Sequence, residues 1–171
     1  MKGKSQFVGA SGQFFVAYQL TKRSIHASIT LGNAPSVDII AAKSDGSKSI
    51  SIQVKTSQNA YRKTRYGREG CEWDVGSSVI GKSSPNLWYA FVDLKQNHEQ
   101  EPDVFIVPSK WVAEFVKPDF SRKIYFHPST AWELTKNRWD LISSFLNEDE
   151  QRLEIYSTWP EDKLVRWGQT A

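Results

Sequence analysis

Apolar and polar positions along the chain predict one helix followed by three strands. In "ASGQFFVAYQLTKR", residues 10–23, apolar residues recur at helical spacings, and the segment ends in two basic residues that suit a helix C-terminus. The segments "SIHASITL", "VDIIAA" and "SISIQVKT" have the apolar runs and alternation of strands. An Asp-Gly pair in "KSDGSK", residues 43–48, predicts a hairpin turn between the second and third strands.

The third strand has a clean period of two. Ile50, Ile52 and Val54 point to one face, and Gln53 and Lys55 point to the other, together with a serine. The first face has the composition of a core surface, whereas the second has hydrogen-bonding and charged groups.

The rest of the chain predicts further strands and helices after a long irregular segment. Residues 57–84 are polar, glycine-rich and basic, without a clear regular element, which indicates a loop that is either functional or mobile. Later segments predict buried strands ("NLWYAFVDL", "DVFIVP"), a helix with Ser109 as N-cap ("SKWVAEFV"), a short strand ("RKIYFHP") and terminal helices ("STAWELTKN", "RWDLISSFLNE"). We therefore expect one α/β domain over residues 1–171, with a core of about 5–145 and a C-terminal appendage at 146–171.

Composition narrows the class of protein without identifying it. The chain has 171 residues, 39% hydrophobic and 24% charged, as in a soluble globular protein. No apolar run reaches the roughly 20 residues of a membrane helix, and no secretory signal is visible, so we expect a cytoplasmic protein without a membrane partner. The net charge of +3 is compatible with an anionic partner, and a single cysteine, Cys71, excludes an intramolecular disulfide.

The predicted hairpin brings together three polar side chains. Asp38 begins the second strand, and Gln53 and Lys55 lie toward the end of the third, so an antiparallel pairing places the three groups side by side. Carboxylate and amide oxygens are ligands that Mg²⁺ accepts, and an adjacent amine can act on a water or a phosphate. The pattern indicates a hydrolytic site for a phosphodiester, although each residue alone also fits a solvated strand edge.

These residues carry a resemblance to a known family. The helix "GASGQFFVAYQL", the strand "VDIIA" and the strand "IQVKT" together resemble the PD-(D/E)xK nuclease superfamily, whose fold is restriction endonuclease-like. Asp38 matches the first acid of the motif, and Gln53 and Lys55 match its last two positions in a QxK variant. Gln13 takes the place of a helix glutamate. The resemblance covers roughly the first 60 residues well and two later strands loosely.

The resemblance implies a mixed central sheet flanked by helices and a metal-dependent endonuclease acting on double-stranded or branched DNA. Asp38 and Gln53 would bind Mg²⁺, for which Mn²⁺ can substitute. Lys55 would act on the water or the scissile phosphate, and Gln13 would hold a water or orient the metal shell. A homodimer is a further expectation, because two strands must be cut.

The segment after Lys55 suggests where nucleic acid would bind. Basic residues alternate with aromatic ones, which suits phosphates and bases respectively: the predicted contacts are Arg62, Lys63, Arg65, Arg68, Tyr61, Tyr66 and Trp73. Trp73 is either a base-facing ring or a lid anchor. Two alternatives stay open: a non-catalytic nucleic-acid-binding or regulatory protein with the nuclease fold, and a protein whose basic loop contacts another protein.

Overall fold

The computed structural model describes residues 2–31, 37–63, 69–116, 123–128 and 132–148. The helices are α1 (Lys2–Thr21), α2 (Ser109–Phe115), α3 (Trp132–Thr135) and α4 (Asp140–Leu146), with one 3₁₀ turn at Ser77–Val79. The strands are β1 (His26–Ile29), β2 (Ile39–Ala42), β3 (Ser49–Ser57), β4 (Tyr61–Lys63), β5 (Glu69–Asp74), β6 (Leu87–Asp93), β7 (Asp103–Pro108) and β8 (Lys123–Phe126).

A mixed five-stranded sheet forms the centre of the molecule. Its strand order is β1-β2-β3-β6-β7, in which β3 and β6 are parallel and the other pairs antiparallel. Strands β3 and β6 are therefore joined by a crossover, and the chain between them forms β4 and β5 of a separate three-stranded sheet, β4-β5-β8. The predicted fold class, a mixed sheet flanked by helices, is confirmed.

The β2–β3 hairpin turns at the Asp-Gly pair, as the sequence predicts. The Lys43 amide donates to the Lys48 carbonyl at 2.9 Å, and Gly46 has a φ of 73°, which a residue without a Cβ adopts readily. The register that follows pairs Ile39 with Ile52. The turn thus fixes which residues of the two strands face each other.

Helix α1 covers the apolar face of β3. Ile50, Ile52 and Val54 are buried there, as the alternation predicts. The closest approach is at Gly12, where a Cβ would lie 1.9 Å from Oγ1 of Thr56. Only a residue without a side chain fits at that point, so Gly12 sets the distance between the helix and the sheet.

The opposite face of the central sheet is covered by the three-stranded sheet. Trp73 of β5 packs its ring against Phe91, Phe105 and Phe126, with ring centroids 5.3 to 5.9 Å apart. The prediction of an irregular segment over residues 57–84 is wrong, because β4, β5 and a 3₁₀ turn form there. These elements are short and gain their stability from packing on the central sheet, a tertiary effect that local patterns do not reveal.

Two details of the helices also differ from expectation. Ser109 is the first residue of α2 and not its N-cap. Its hydroxyl donates to the Ser84 carbonyl at 2.8 Å and accepts from the Ser84 amide at 3.0 Å, so it ties down a loop. Helix α1 begins at Lys2, well before residue 10. Phe14 and Tyr18, two of the apolar residues whose spacing predicted the helix, are exposed.

The length and the hydrophobicity of the described helices can be compared with those of a membrane-spanning helix. Within the described ranges, no helix is both long enough and apolar enough to cross a bilayer.

The contact at Gly12 yields a stability prediction. Gly12→Ala should lower the free energy of unfolding by about 1–3 kcal/mol, because the added methyl group collides with Thr56 and forces the helix away. Gly9→Ala is the matched control: nothing lies within 4 Å of its Cβ, so the change should stabilise the helix by about 0.5–1 kcal/mol. Chemical denaturation of both variants measures the difference. Equal effects of the same sign would contradict the close approach.

Candidate active site

Asp38 lies at a junction of three elements. Its Oδ1 accepts a hydrogen bond from Nε2 of Gln13 on α1 at 2.9 Å, and its Oδ2 accepts one from the Val54 amide of β3 at 2.7 Å. The Asp38 carbonyl accepts from the amide of Thr30, which follows β1, at 2.9 Å. One residue therefore connects the helix, the central strand and the edge strand.

The Val54 contact follows from where β2 begins. The Ser51 amide donates to Asn86, before β6, so the amides of Ile52 and Val54 point toward β2. Strand β2 begins at Ile39, opposite Ile52, and its backbone does not continue to Val54. The Asp38 carboxylate takes the place of the missing backbone acceptor, which gives it a structural role.

Gln53 is adjacent to this junction. Extending the β2–β3 register by one residue sets Asp38 opposite Gln53. The Oε1 atom of Gln53 is buried and has no hydrogen-bond partner within the described residues, and neither has the hydroxyl of Tyr89, its neighbour on β6. An unpaired buried oxygen is unfavourable, and a bound cation, water or donor would satisfy it.

Lys55 lies one residue beyond the amide that Asp38 binds. Its side chain is half-buried and forms no hydrogen bond or ion pair in the part of the chain that the structure describes. Lys55 is paired in register with Phe91, on the face that the second sheet covers through Trp73. The amine is therefore on the same side of the central sheet as strands β4 and β5.

The sequence prediction for these four residues can now be compared with their placement. Asp38 and Gln13 are in direct contact, and Gln53 and Lys55 flank the amide to which Asp38 is bonded. No hydrogen bond joins Asp38 to Gln53 or Lys55 among the described residues. The backbone thus brings the predicted residues together, while their roles in catalysis stay a prediction.

The donor set fits a hard cation. In the described ranges no three side chains of His, Cys, Asp or Glu form a metal-binding group, so a metal would depend on carboxylate and amide oxygens here. Mg²⁺ binds oxygen, takes few protein ligands and keeps several waters. Each oxygen of Asp38 accepts one hydrogen bond and keeps further acceptor capacity, and Oε1 of Gln53 is unpaired.

Six of the seven residues predicted to contact nucleic acid lie between positions 61 and 68. Tyr61, Arg62 and Lys63 form β4 and are all exposed. The Tyr61 hydroxyl donates to Oε2 of Glu69 at 2.8 Å, and this hydrogen bond raises the pKa of Tyr61. Arg65, Tyr66 and Arg68 lie outside the described residues.

Trp73 does not contact nucleic acid as a base-facing ring. Its side chain is 4% exposed, and its Nε1 donates to the Val92 carbonyl at 3.1 Å. That prediction is wrong because β5 packs on the central sheet. The two-residue spacing of the apolar residues Cys71 and Trp73 is compatible with a strand, but it does not by itself show which surface covers them.

One residue near the site was missed by sequence reasoning. Asp93 is fully buried at the end of β6, and its Oδ1 accepts from the Ala60 amide at 2.9 Å. This bond fixes the loop that leads from β3 into β4. Its Oδ2 lies 3.2 Å from Nζ of Lys95, which offsets the buried charge. In the sequence, the acidic residue that ends the apolar run "LWYAFVD" was the signal that could have identified Asp93.

Cys71 does not contribute a nucleophile. Burial raises the pKa of its thiol to about 12, so it stays protonated at neutral pH.

Comparisons with known proteins support the fold. No family model and no curated protein sequence matches the chain. Among solved structures, a bacterial homing endonuclease, I-Ssp6803I, is similar with a TM-score of 0.54 and 14% sequence identity, over 86% of this chain and 96% of that chain. The likeness spans nearly the whole of that protein, and it shows that this chain has a nuclease fold.

Proposed function

We propose that the protein is a metal-dependent endonuclease that hydrolyses DNA phosphodiester bonds at the site around Asp38. The observation that carries the proposal is the junction itself, where a carboxylate at the start of β2 lies beside an amide oxygen and an amine on β3, both without a hydrogen-bond partner among the described residues. The likeness to a homing endonuclease supports it, since that protein has the same fold.

Each of the four residues would have its own role in the reaction. Asp38 and Gln53 would hold Mg²⁺, which supplies a polarised water and neutralises charge on the phosphate. Lys55 would orient the attacking water or stabilise the negative charge that develops on the phosphate. Gln13 would keep the Asp38 carboxylate in one orientation through its 2.9 Å hydrogen bond.

Exposed strand β4 would bind the DNA backbone. Arg62 and Lys63 lie in the sheet that covers the Lys55 face, and the Asp93–Ala60 hydrogen bond fixes the loop between that face and β4. Phosphates bound there would be held on the same side of the central sheet as Lys55. Two chains acting together would cut both strands of a duplex.

A second candidate is a protein that binds nucleic acid without cutting it. Both oxygens of Asp38 already accept hydrogen bonds from N–H groups. Asp38 is the one carboxylate among the described residues of the site, whereas the family that the sequence resembles usually has two or more. A structural carboxylate that keeps the nuclease fold intact has the same contacts.

Cleavage distinguishes the two candidates. With Mg²⁺ or Mn²⁺ present, the protein should cut supercoiled or branched DNA, and Asp38→Asn and Lys55→Met should each reduce the rate about 100-fold or more. Agarose gels of plasmid nicking measure the rate, and thermal melting verifies that the variants fold. Asp45→Ala and Lys43→Ala are matched controls, because this acid and lysine lie at the other end of the same hairpin and should leave the rate unchanged. DNA binding without cleavage by the unaltered protein would favour the second candidate.

Gln53→Glu tests whether Gln53 is a metal ligand. A second carboxylate beside Asp38 should lower the melting temperature without metal, since the two charges repel, and should increase the stabilisation by Mg²⁺. Each added kcal/mol of metal binding would raise the melting temperature by about 2–4 °C. Gln96→Glu, at an exposed loop position, should show neither effect. A metal response equal to that of the unaltered protein would exclude Gln53 from the metal shell.

Arg62→Ala combined with Lys63→Ala tests the DNA surface. Each residue that binds a phosphate releases counterions, so losing both should weaken binding and reduce the slope of log K against log salt by about 2. Fluorescence anisotropy at several salt concentrations measures the slope. Lys43→Ala, in the distant hairpin turn, should leave it unchanged. An unaltered slope in the double variant would place the DNA elsewhere.

A further inference from the structure

Gln53 lies between two polar neighbours in the central sheet. On the β2 side, the Asp38 amide donates to the Ile52 carbonyl at 3.0 Å, and Oδ2 of Asp38 accepts from the Val54 amide at 2.7 Å. Asp38 is thus bonded to the residues before and after Gln53. On the β6 side, Gln53 is paired in register with Tyr89. Residues paired in register point to the same face of a sheet, so the two side chains are adjacent.

The Tyr89 phenol is buried beside this glutamine. Tyr89 is 1% exposed, and its hydroxyl has no hydrogen-bond partner among the described residues. Its ring stacks on Phe91 with 5.8 Å between the centroids, and its register partner on the other side is Val107 of β7. Of its two register partners, Gln53 is therefore the one with a polar side chain.

The two side chains complement each other chemically. Oε1 of Gln53 is also buried and lacks a partner in the part of the chain that the structure describes. A carboxamide both donates and accepts, and so does a hydroxyl, so each group can satisfy the other directly or through one bridging water. Burial raises the pKa of Tyr89, so the phenol keeps its proton at neutral pH. A bond between them would remove the cost of two unpaired buried groups.

A glutamine in a metal site has a requirement that a carboxylate does not have. Both ends of a carboxylate are oxygens, whereas a carboxamide presents either an oxygen or an NH₂ group, and the NH₂ group cannot bind a cation. For Gln53 to be a ligand, Oε1 must face Asp38, and Nε2 must then turn toward β6, where Tyr89 lies. Neighbours that orient a ligand in this way are a regular part of metal sites.

We propose that Tyr89 is a positioning residue for Gln53. Its hydroxyl accepts a hydrogen bond from Nε2 of Gln53, and this bond selects the orientation in which Oε1 faces Asp38. The link to the metal rests on the proposed function, in which Gln53 is the ligand and Tyr89 touches neither metal nor DNA. The coupling between the two side chains does not require metal and is measured separately.

A double-mutant cycle in the metal-free protein tests the coupling. Tyr89→Phe removes the hydroxyl and keeps the ring that stacks on Phe91, and Gln53→Met replaces the carboxamide with an apolar side chain of similar length. Tyr89→Phe alone should lower the melting temperature by about 2–4 °C, the shift expected for one lost hydrogen bond in a chain of this length. In the Gln53→Met background the same change should leave the melting temperature unchanged or raise it, because the hydroxyl has already lost its partner.

Tyr18→Phe is the matched control for the cycle, because the Tyr18 phenol is 56% exposed on α1. This change should shift the melting temperature equally in both backgrounds. Circular dichroism verifies that each variant keeps its secondary structure. An effect of Tyr89→Phe that is the same in both backgrounds would overturn the proposal.

Titration with Mg²⁺, followed by the rise in melting temperature, tests the orientation of the carboxamide. Tyr89→Phe should weaken Mg²⁺ binding about 10-fold, as expected when the partner that orients a ligand is removed. In the Gln53→Glu background the same change should weaken binding by less than about 2-fold, because either end of a carboxylate can face the metal. An equal loss in both backgrounds would exclude an orienting role for Tyr89.

The two experiments separate this inference from the proposed function. A lack of any Mg²⁺ response in the unaltered protein would contradict the proposed metal site. A clear Mg²⁺ response without coupling between Tyr89 and Gln53 would contradict the positioning role alone.

Discussion

The Asp38 carboxylate is the interaction on which the rest of the site depends. It replaces a backbone acceptor for the Val54 amide where β2 begins, and it accepts a hydrogen bond from Gln13 on α1. Without it, a half-buried amide and a side-chain donor would lack partners, at a cost of about 1–3 kcal/mol each. Among the described residues of the junction, Asp38 is also the one carboxylate that the proposed metal site would use, so a single residue would serve both the fold and the proposed chemistry.

Close packing of helix and sheet makes this junction possible. Gly12 lets α1 approach β3 so closely that the next residue, Gln13, reaches Asp38. On the opposite face, Trp73 anchors the second sheet to Phe91, next to Lys55 in register. The candidate site therefore lies between three layers. Helix α1 contributes an amide donor, the central sheet contributes the candidate ligands, and the smaller sheet contributes the basic strand.

The sequence predicted the features of the fold that depend on residues close together in the chain. The alternation at Ile50, Ile52 and Val54 and the Asp-Gly turn specify the β2–β3 hairpin, and this places Asp38 beside Gln53. The β4 and β5 strands and the burial of Trp73 depend on packing between distant segments, which a single sequence does not display. The contact between Gln13 and Asp38 was likewise hidden, because it requires the depth of α1 over the sheet, and that depth is set by one glycine meeting Thr56.

The crossover between β3 and β6 has a consequence for how the molecule assembles. The hairpin that pairs Ile39 with Ile52 closes a short loop, whereas pairing Ser57 with Asp93 closes a much longer one. Short loops close at a lower entropic cost and on a faster timescale. The candidate ligands on β2 and β3 can therefore adopt their register early in folding, before the parallel strand and the basic strand complete the structure around them.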